Sequence, residues 1–315
     1  MNTQERPMQR RYPDGPVAIG MANEGGGTRK STGGVNACVE LARRGKKVWL
    51  IDGDPTMIAS CYLGYGVTNQ KYNPQRVKEV YDRLDAMTTI YDVVLGEAKL
   101  TEALVPARTR IKPSEFNDDP HADDDDHFEV IPNLFLAVGS RAMSQASASI
   151  NDITKATCDE YWLRRAIEDL PPEEAPDVIV VDFRGAVDTL EISYLCALDY
   201  IVGCLKPDPK DDDTLTKLES LIEQGRRKFQ FSGGSAEMRH VLFNGYVTNR
   251  GAFFVDKWKQ TLDFYGEKTL PYISENVQFY EAMEAQEPVL YWCGENSKAA
   301  KEFAKVVDNL DLISH

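Results

Sequence analysis

The sequence predicts an α/β fold, a doubly wound and mostly parallel sheet with helices on both faces. Three observations carry that reading. Residues Val17 to Pro55 (VAIGMANEGGGTRKSTGGVNACVELARRGKKVWLIDGDP) run strand, glycine-rich loop, helix, strand. Asp177 to Asp182 (DVIVVD) places four branched apolar residues before an aspartate. That is the pattern of a central parallel strand with a carboxylate at its C-terminal edge, where ligands sit in open α/β sheets. Strand-length apolar runs then alternate with helical patterns along the remainder of the 315 residues.

The elements follow in order. Met1 to Asp14 carries Arg6, Arg10 and Arg11 with little apolar content and reads as a flexible arm; residues 15–315 read as one domain. Val17 to Met21 is an apolar run without helical period, hence a buried strand. A helix runs through Val35, Val39, Leu41 and Ala42 and stops at Gly45, and Val48 to Ile51 begins the next strand. Met57 to Leu63 reads as a loop with a short turn. Arg76 to Met87 reads as a polar helix with Val77, Val80, Tyr81 and Leu84 on one face. Residues 107–131 read as an acidic surface insertion, a loop between Pro106 and Pro132. Asn133 to Val138 is a strand, Tyr161 to Ile167 a helix, Leu215 to Ile222 a helix face, His240 to Asn244 a buried strand, and Lys298 to Leu310 a terminal amphipathic helix.

Composition narrows the function classes. The formal net charge is −14, which argues against a chain coated with nucleic acid, yet eight acidic side chains lie between Glu115 and Glu129 alone. His121 and His127 flank that run, but a solvated insertion explains it better than a metal site. No apolar run reaches 18 residues and no secretory segment is visible, so a membrane-spanning or exported chain is not expected. Six cysteines without a C-x-x-C pair fit reduced thiols in a cytoplasmic chain.

The glycine-rich loop carries the chemistry. Gly25, Gly26 and Gly27 let the backbone take positive φ and turn its N–H groups inward as an anion nest, and the following helix adds its N-terminal N–H groups and dipole. Gly26, Gly27, Thr28, Arg29, Lys30, Ser31 and Thr32 are the expected phosphate-binding set. Lys30 reaches the terminal phosphates, and the Ser31 hydroxyl with Asp182 holds Mg²⁺. A strict G-x-x-x-x-G-K-[ST] pattern has glycine before the lysine, and this chain has Arg29 there.

These residues resemble the deviant P-loop ATPases of the ParA/Soj/MinD group, which segregate DNA or position other cargo. The group reads N-x-K-G-G-x-G-K-[ST]-T, and Asn23, Gly26, Gly27, Lys30, Ser31 and Thr32 match it; the signature lysine is Gly25 here. The D-x-D-P block of the group is Asp52-Gly53-Asp54-Pro55, and its I-P-x-N-x-x-x-x-E-A segment is similar to residues 270–282. Such blocks recur from about residue 17 to residue 310. The resemblance implies ATP and Mg²⁺ as cofactors, Asp54 as the carboxylate that orients the attacking water, and Asp52 as its support near the metal. It also implies Asn244 and Pro271 as contacts to the base. No guanine-reading Asn-Lys-x-Asp occurs, which favours ATP. With the lysine absent, Arg29 or Arg184 is the candidate for its charge.

The function this implies is ATP-dependent homodimerisation with non-specific DNA binding, discharged by a ParB-like or cargo adaptor protein, with nucleoid association. Between Arg226 and Lys259 seven basic residues face two acidic ones, and Phe253, Phe254 and Trp258 interleave. Arg226, Arg227, Lys228, Arg250, Lys257 and Lys259 are the candidate DNA contacts, since such affinity comes from phosphate neutralisation; a solvated helix face is the other reading of the same residues. Two other functions stay open: a P-loop enzyme acting on a small metabolite, and a nucleotide-binding scaffold that scarcely hydrolyses.

Overall fold

The computed structural model describes residues 10–23, 27–66, 74–111, 127–152, 154, 158–207, 214–247, 252–310 and 312. Its strands are β1 (Val17–Asn23), β2 (Val48–Asp52), β3 (Leu104–Arg110), β4 (Phe128–Ala137), β5 (Val178–Arg184), β6 (Tyr200–Leu205), β7 (Glu237–Tyr246) and β8 (Ile273–Ser274). The first helices are α1 (Lys30–Arg43), α2 (Ile58–Tyr62), α3 (Pro74–Asp85), α4 (Ile90–Leu95), α5 (Ala146–Ile150) and α6 (Trp162–Glu168). They are followed by α7 (Thr189–Ala197), α8 (Thr214–Phe229), α9 (Ala252–Tyr265), α10 (Gln278–Ala285), α11 (Val289–Cys293) and α12 (Lys298–Asp308).

The strands form one eight-stranded sheet in the order β3-β4-β2-β5-β1-β6-β7-β8, and only the β3–β4 pair is antiparallel. The predicted doubly wound α/β fold is therefore present. Alternate residues of each central strand enter two separate cores, as a pleated strand buried on both faces requires. Val17, Ile19, Met21, Val48, Leu50, Val178 and Val180 pack with α1 and α12. Ala18, Ala22, Trp49, Ile51, Ile179, Val181 and Phe183 pack with the α4–α8 side. Because the strands are parallel, their carboxyl ends lie along one edge. Register puts Asp52 opposite Asp182, and Met21 opposite Asp182 from the other side. Two carboxylates and the loop after β1 are thus brought together by topology alone.

Some expected elements differ. The loop expected at Met57 to Leu63 contains the short helix α2, entered through Met57 at φ 56°. The flanks of the stretch expected as a surface loop at 107–131 are strands: β3 and β4 form an antiparallel hairpin with a register shift between Pro106 and Arg108. The acidic residues 115–126 lie outside the described residues. Of the expected N-terminal arm, residues 10–14 are described, and Arg11 and Tyr12 are tied to the fold while Pro13 and Asp14 are exposed. Tyr12 is buried with its hydroxyl donating to the Ala197 carbonyl, and Arg11 donates to Leu198 and Asp199. Among the described residues no disulfide forms between any of the six cysteines, and no group of three metal-ligating side chains occurs. No helix among them is long and apolar enough to cross a membrane.

Candidate nucleotide site

The site grows from the C-terminal edge of β1. Gly27 has φ +84°, a conformation open to glycine without cost, as the loop reading requires. Arg29 is also left-handed, φ 60° and ψ 30°, which costs a non-glycine residue about 1–2 kcal/mol. Lys30 then opens α1. The helix has no side-chain cap and no acidic residue in its first turn, so no carboxylate of its own competes for its leading N–H groups. Gly25 and Gly26 lie outside the described residues, as does Arg250.

The structure brings Lys30, Ser31, Asp52, Asp54 and Asp182 together. The Lys30 ammonium lies 2.8 Å from Asp54 Oδ2, with the two side chains only 12% and 2% exposed. Burial disfavours the Lys30 charge, but Asp182 and Asp54 outweigh it and raise its pKa. Burial likewise pushes the Asp54 carboxyl up, and Lys30 together with two hydrogen bonds from Thr56 brings it below the usual range. Lysine and aspartate are both ionised and held.

Asp52 is different. It is fully buried, and its Oδ2 accepts from both the backbone N–H (2.7 Å) and the hydroxyl (2.6 Å) of Ser60. Burial, and then the charge of Asp182, pushes its carboxyl up to about 7. The glycine between the two aspartates is required. A Cβ on Gly53 would fall 2.4 Å from the Tyr194 hydroxyl, and the Gly53 N–H donates to the Asp182 carbonyl, tying β2 to β5.

Both carboxylate oxygens of Asp182 are buried without a well-formed hydrogen bond to the protein. Burial raises the group to about 6, tempered by Lys30 and by the nearby Ser31 hydroxyl. A buried carboxylate with open lone pairs beside a serine hydroxyl is what a hard divalent cation completes, so these residues fit Mg²⁺. Bound there with a nucleotide, the ion would neutralise phosphate charge.

Other predicted residues are otherwise engaged. Asn244 is buried, and its amide donates to the Thr28 carbonyl at 3.0 Å, bracing the phosphate loop from β7. Pro271 lies two residues before β8 and is partly buried. Thr28 and Thr32 are buried, and the Thr32 carbonyl accepts from Asn36. Neither candidate arginine is uncommitted: Arg29 pairs with Glu275 at 2.5 Å, and Arg184 pairs with Glu191 at 3.1 Å and Asp188 at 3.5 Å. Arg226, Arg227 and Lys228 end α8, the first two sharing Glu223 and the third meeting Glu160, while Lys257 and Lys259 lie on α9.

Sequence reasoning missed Ser60, Thr56, Glu191 and Glu275. Glu275 meets Arg29 from 246 residues away, and Ser60 turns back onto Asp52 from α2, eight residues on and past the end of β2, so no single periodic element links either pair. Thr56, two residues after Asp54, could have been found as an Asx-type turn following D-x-D-P.

The chain as a whole is similar to several known proteins. The family profile described as an AAA domain matches residues 17–230. A chromosome partitioning protein ParA from Caulobacter vibrioides is 24% identical over 275 residues, covering 87% of this chain and 86% of that one. Among solved structures, a plasmid partition protein from Borrelia burgdorferi B31 bound to AMPPNP has a TM-score of 0.65 at 16% identity, covering 93% of this chain and 98% of its own. The septum site-determining protein MinD of Pyrococcus horikoshii, complexed with Mg-ADP, has a TM-score of 0.61 at 20% identity, covering 94% and 96%.

Proposed function

We propose that this chain, which belongs to the AAA domain family and is similar to ParA- and MinD-type proteins, is an ATP-switched partition or positioning protein. In this reading ATP·Mg²⁺ binding drives homodimerisation, the dimer holds DNA without sequence preference, and an adaptor partner triggers hydrolysis. The observation that carries it is the buried Lys30–Asp54 pair set beside the unsatisfied Asp182 carboxylate at the mouth of α1.

The residues divide the work as follows. The leading N–H groups of α1 and the Gly27 turn take the phosphate oxygens, and Lys30 neutralises the terminal phosphates. Ser31 and Asp182 hold Mg²⁺. When Lys30 turns to the phosphates it leaves Asp54 Oδ2, and Asp54, still gripped by Thr56 through Oδ1, presents that oxygen to the attacking water. Asp52, fixed by Ser60, keeps the edge of β2 in register with Asp182. Transfer to water needs positioning and charge neutralisation more than covalent help, and these residues supply both.

Sedimentation velocity with and without ATP·Mg²⁺ tests the switch. The proposal expects a monomer without nucleotide and a dimer with it, and DNA-stimulated turnover that requires no small-molecule acceptor. A monomer under both conditions, or turnover that depends on a metabolite, would favour a P-loop enzyme of another class.

A further inference from the structure

Arg29 occupies the position where a strict phosphate loop has glycine, adopts a left-handed conformation, and pairs with Glu275 in the C-terminal part of the chain. Its guanidinium donates to Glu275 Oε1 at 2.5 Å and lies 5.3 Å from the Phe279 ring centroid and 4.8 Å from that of Tyr280. The Arg29 side chain is only 7% exposed, and that of Glu275 is 26% exposed. Glu275 is itself anchored, its N–H donating to the Tyr246 carbonyl at the end of β7. Next door on β7, Asn244 grips the Thr28 carbonyl. Two consecutive loop residues are therefore fastened to the β7–α10 region, one through its backbone and one through its charge.

We infer that Arg29 is a positioning residue, a staple that holds the phosphate loop in its binding shape by pairing with Glu275 and stacking on Phe279 and Tyr280. The physical reason is the backbone. A loop residue with a Cβ abandons φ 60° for ordinary right-handed or extended conformations unless something holds it there. A planar guanidinium with one carboxylate and two ring faces is the contact set that can do so, and a lysine reproduces only part of it. Nucleotide affinity then depends on Glu275, a residue remote in sequence whose own role is to keep the loop preformed. The inference rests on the nucleotide reading of the loop.

The opposite role makes the opposite prediction. Were Arg29 a phosphate ligand restrained by Glu275, neutralising Glu275 would release it and tighten binding. The test is calorimetric titration of AMPPNP with Mg²⁺ into the wild-type chain and into Glu275→Gln, Arg29→Lys, Arg29→Ala and the Arg29→Ala/Glu275→Gln double variant. We expect Glu275→Gln and Arg29→Ala each to weaken binding about tenfold, corresponding to about 1.4 kcal/mol. We expect Arg29→Lys to lose less, and the double variant to be no weaker than Arg29→Ala, because both remove one staple. At saturating ATP the Glu275→Gln variant should turn over within about twofold of wild type while its KM rises, a split that general destabilisation would not produce. Tyr280→Leu, at a half-exposed ring, should weaken binding about threefold with the fold intact. Tighter binding by Glu275→Gln, or unchanged binding by both Glu275→Gln and Arg29→Ala, overturns the staple. Failure of the wild-type chain to bind the nucleotide at all would instead overturn the nucleotide reading, so the two failures are distinct.

Discussion

At the scale of single residues, the most unusual group outside the phosphate loop is Glu191. It is fully buried on α7, and burial, followed by its hydrogen bond to and the charge of Asp188, pushes it up to about 9 against a partial offset from Arg184. Its Oε2 has no acceptor role to fill, which a proton shared with Asp188 resolves. Tyr194 is the other titratable neighbour, and it stays neutral. The folded chain thus holds a proton that the unfolded chain releases near 4.5. Stability from this group is full below that value and is lost as pH rises toward 9. Glu191→Gln should therefore match the wild-type melting temperature near pH 5 and exceed it by about 5 °C near pH 8.5; a difference independent of pH would contradict the protonated state. Asp54→Ala belongs to the same scale. Removing a water-orienting carboxylate should leave nucleotide binding within about threefold of wild type and cut turnover by about 100-fold or more, and rapid-quench measurement at wild-type rate would remove Asp54 from the mechanism. Lys30, Ser31, Asp54 and Asp182 were legible because their partners follow them at fixed motif spacing or share a strand edge. Glu191, Ser60 and Glu275 were not, since their burial comes from packing across elements that no local period reports.

At the scale of elements, the strand, loop and helix from residue 17 to residue 52 were legible because apolar periodicity and turn chemistry agree there. The edge strand β3 was hidden: its sequence LVPARTR carries Pro106 and two arginines, and an edge strand tolerates proline because one side of its backbone needs no ladder partner. Helix α9 was hidden for another reason. Its aromatics point several ways, Trp258 packing against Phe243, Tyr246 and Tyr272 while Phe253 and Phe264 are exposed, which blurs any single apolar face. The basic end of α8 is the element on which the DNA reading rests. Arg226 and Arg227 share one exposed Glu223, a surface pairing that is weak and screened by salt, so phosphates can compete for both. Reversing Arg226, Arg227 and Lys228 to Glu should weaken DNA retention in ATP by about tenfold or more at low salt, flatten its salt dependence, and leave nucleotide affinity unchanged. Equal retention by the variant and wild type in a filter assay would assign DNA contact elsewhere or remove it.

At the scale of the whole molecule, the sheet order and the parallel register gather the loop after β1, the end of β2 and the end of β5 into one place, and everything proposed for function depends on that gathering. The departures from the strict motif do not dismantle it. The chain holds Arg29 against its own C-terminal region, and Arg184 against α7 and the residue that caps it. In the proposed function Lys30, held on Asp54 in the structure, is the charge that receives the nucleotide phosphates. Calorimetric titration of AMPPNP with Mg²⁺ into the wild-type chain and Lys30→Ala tests this most directly. One nucleotide is expected per wild-type chain, with affinity lowered by about 30-fold or more in the variant, as loss of a charged hydrogen-bond donor to phosphate entails. Equal affinity in the two proteins, with both folded, would contradict it.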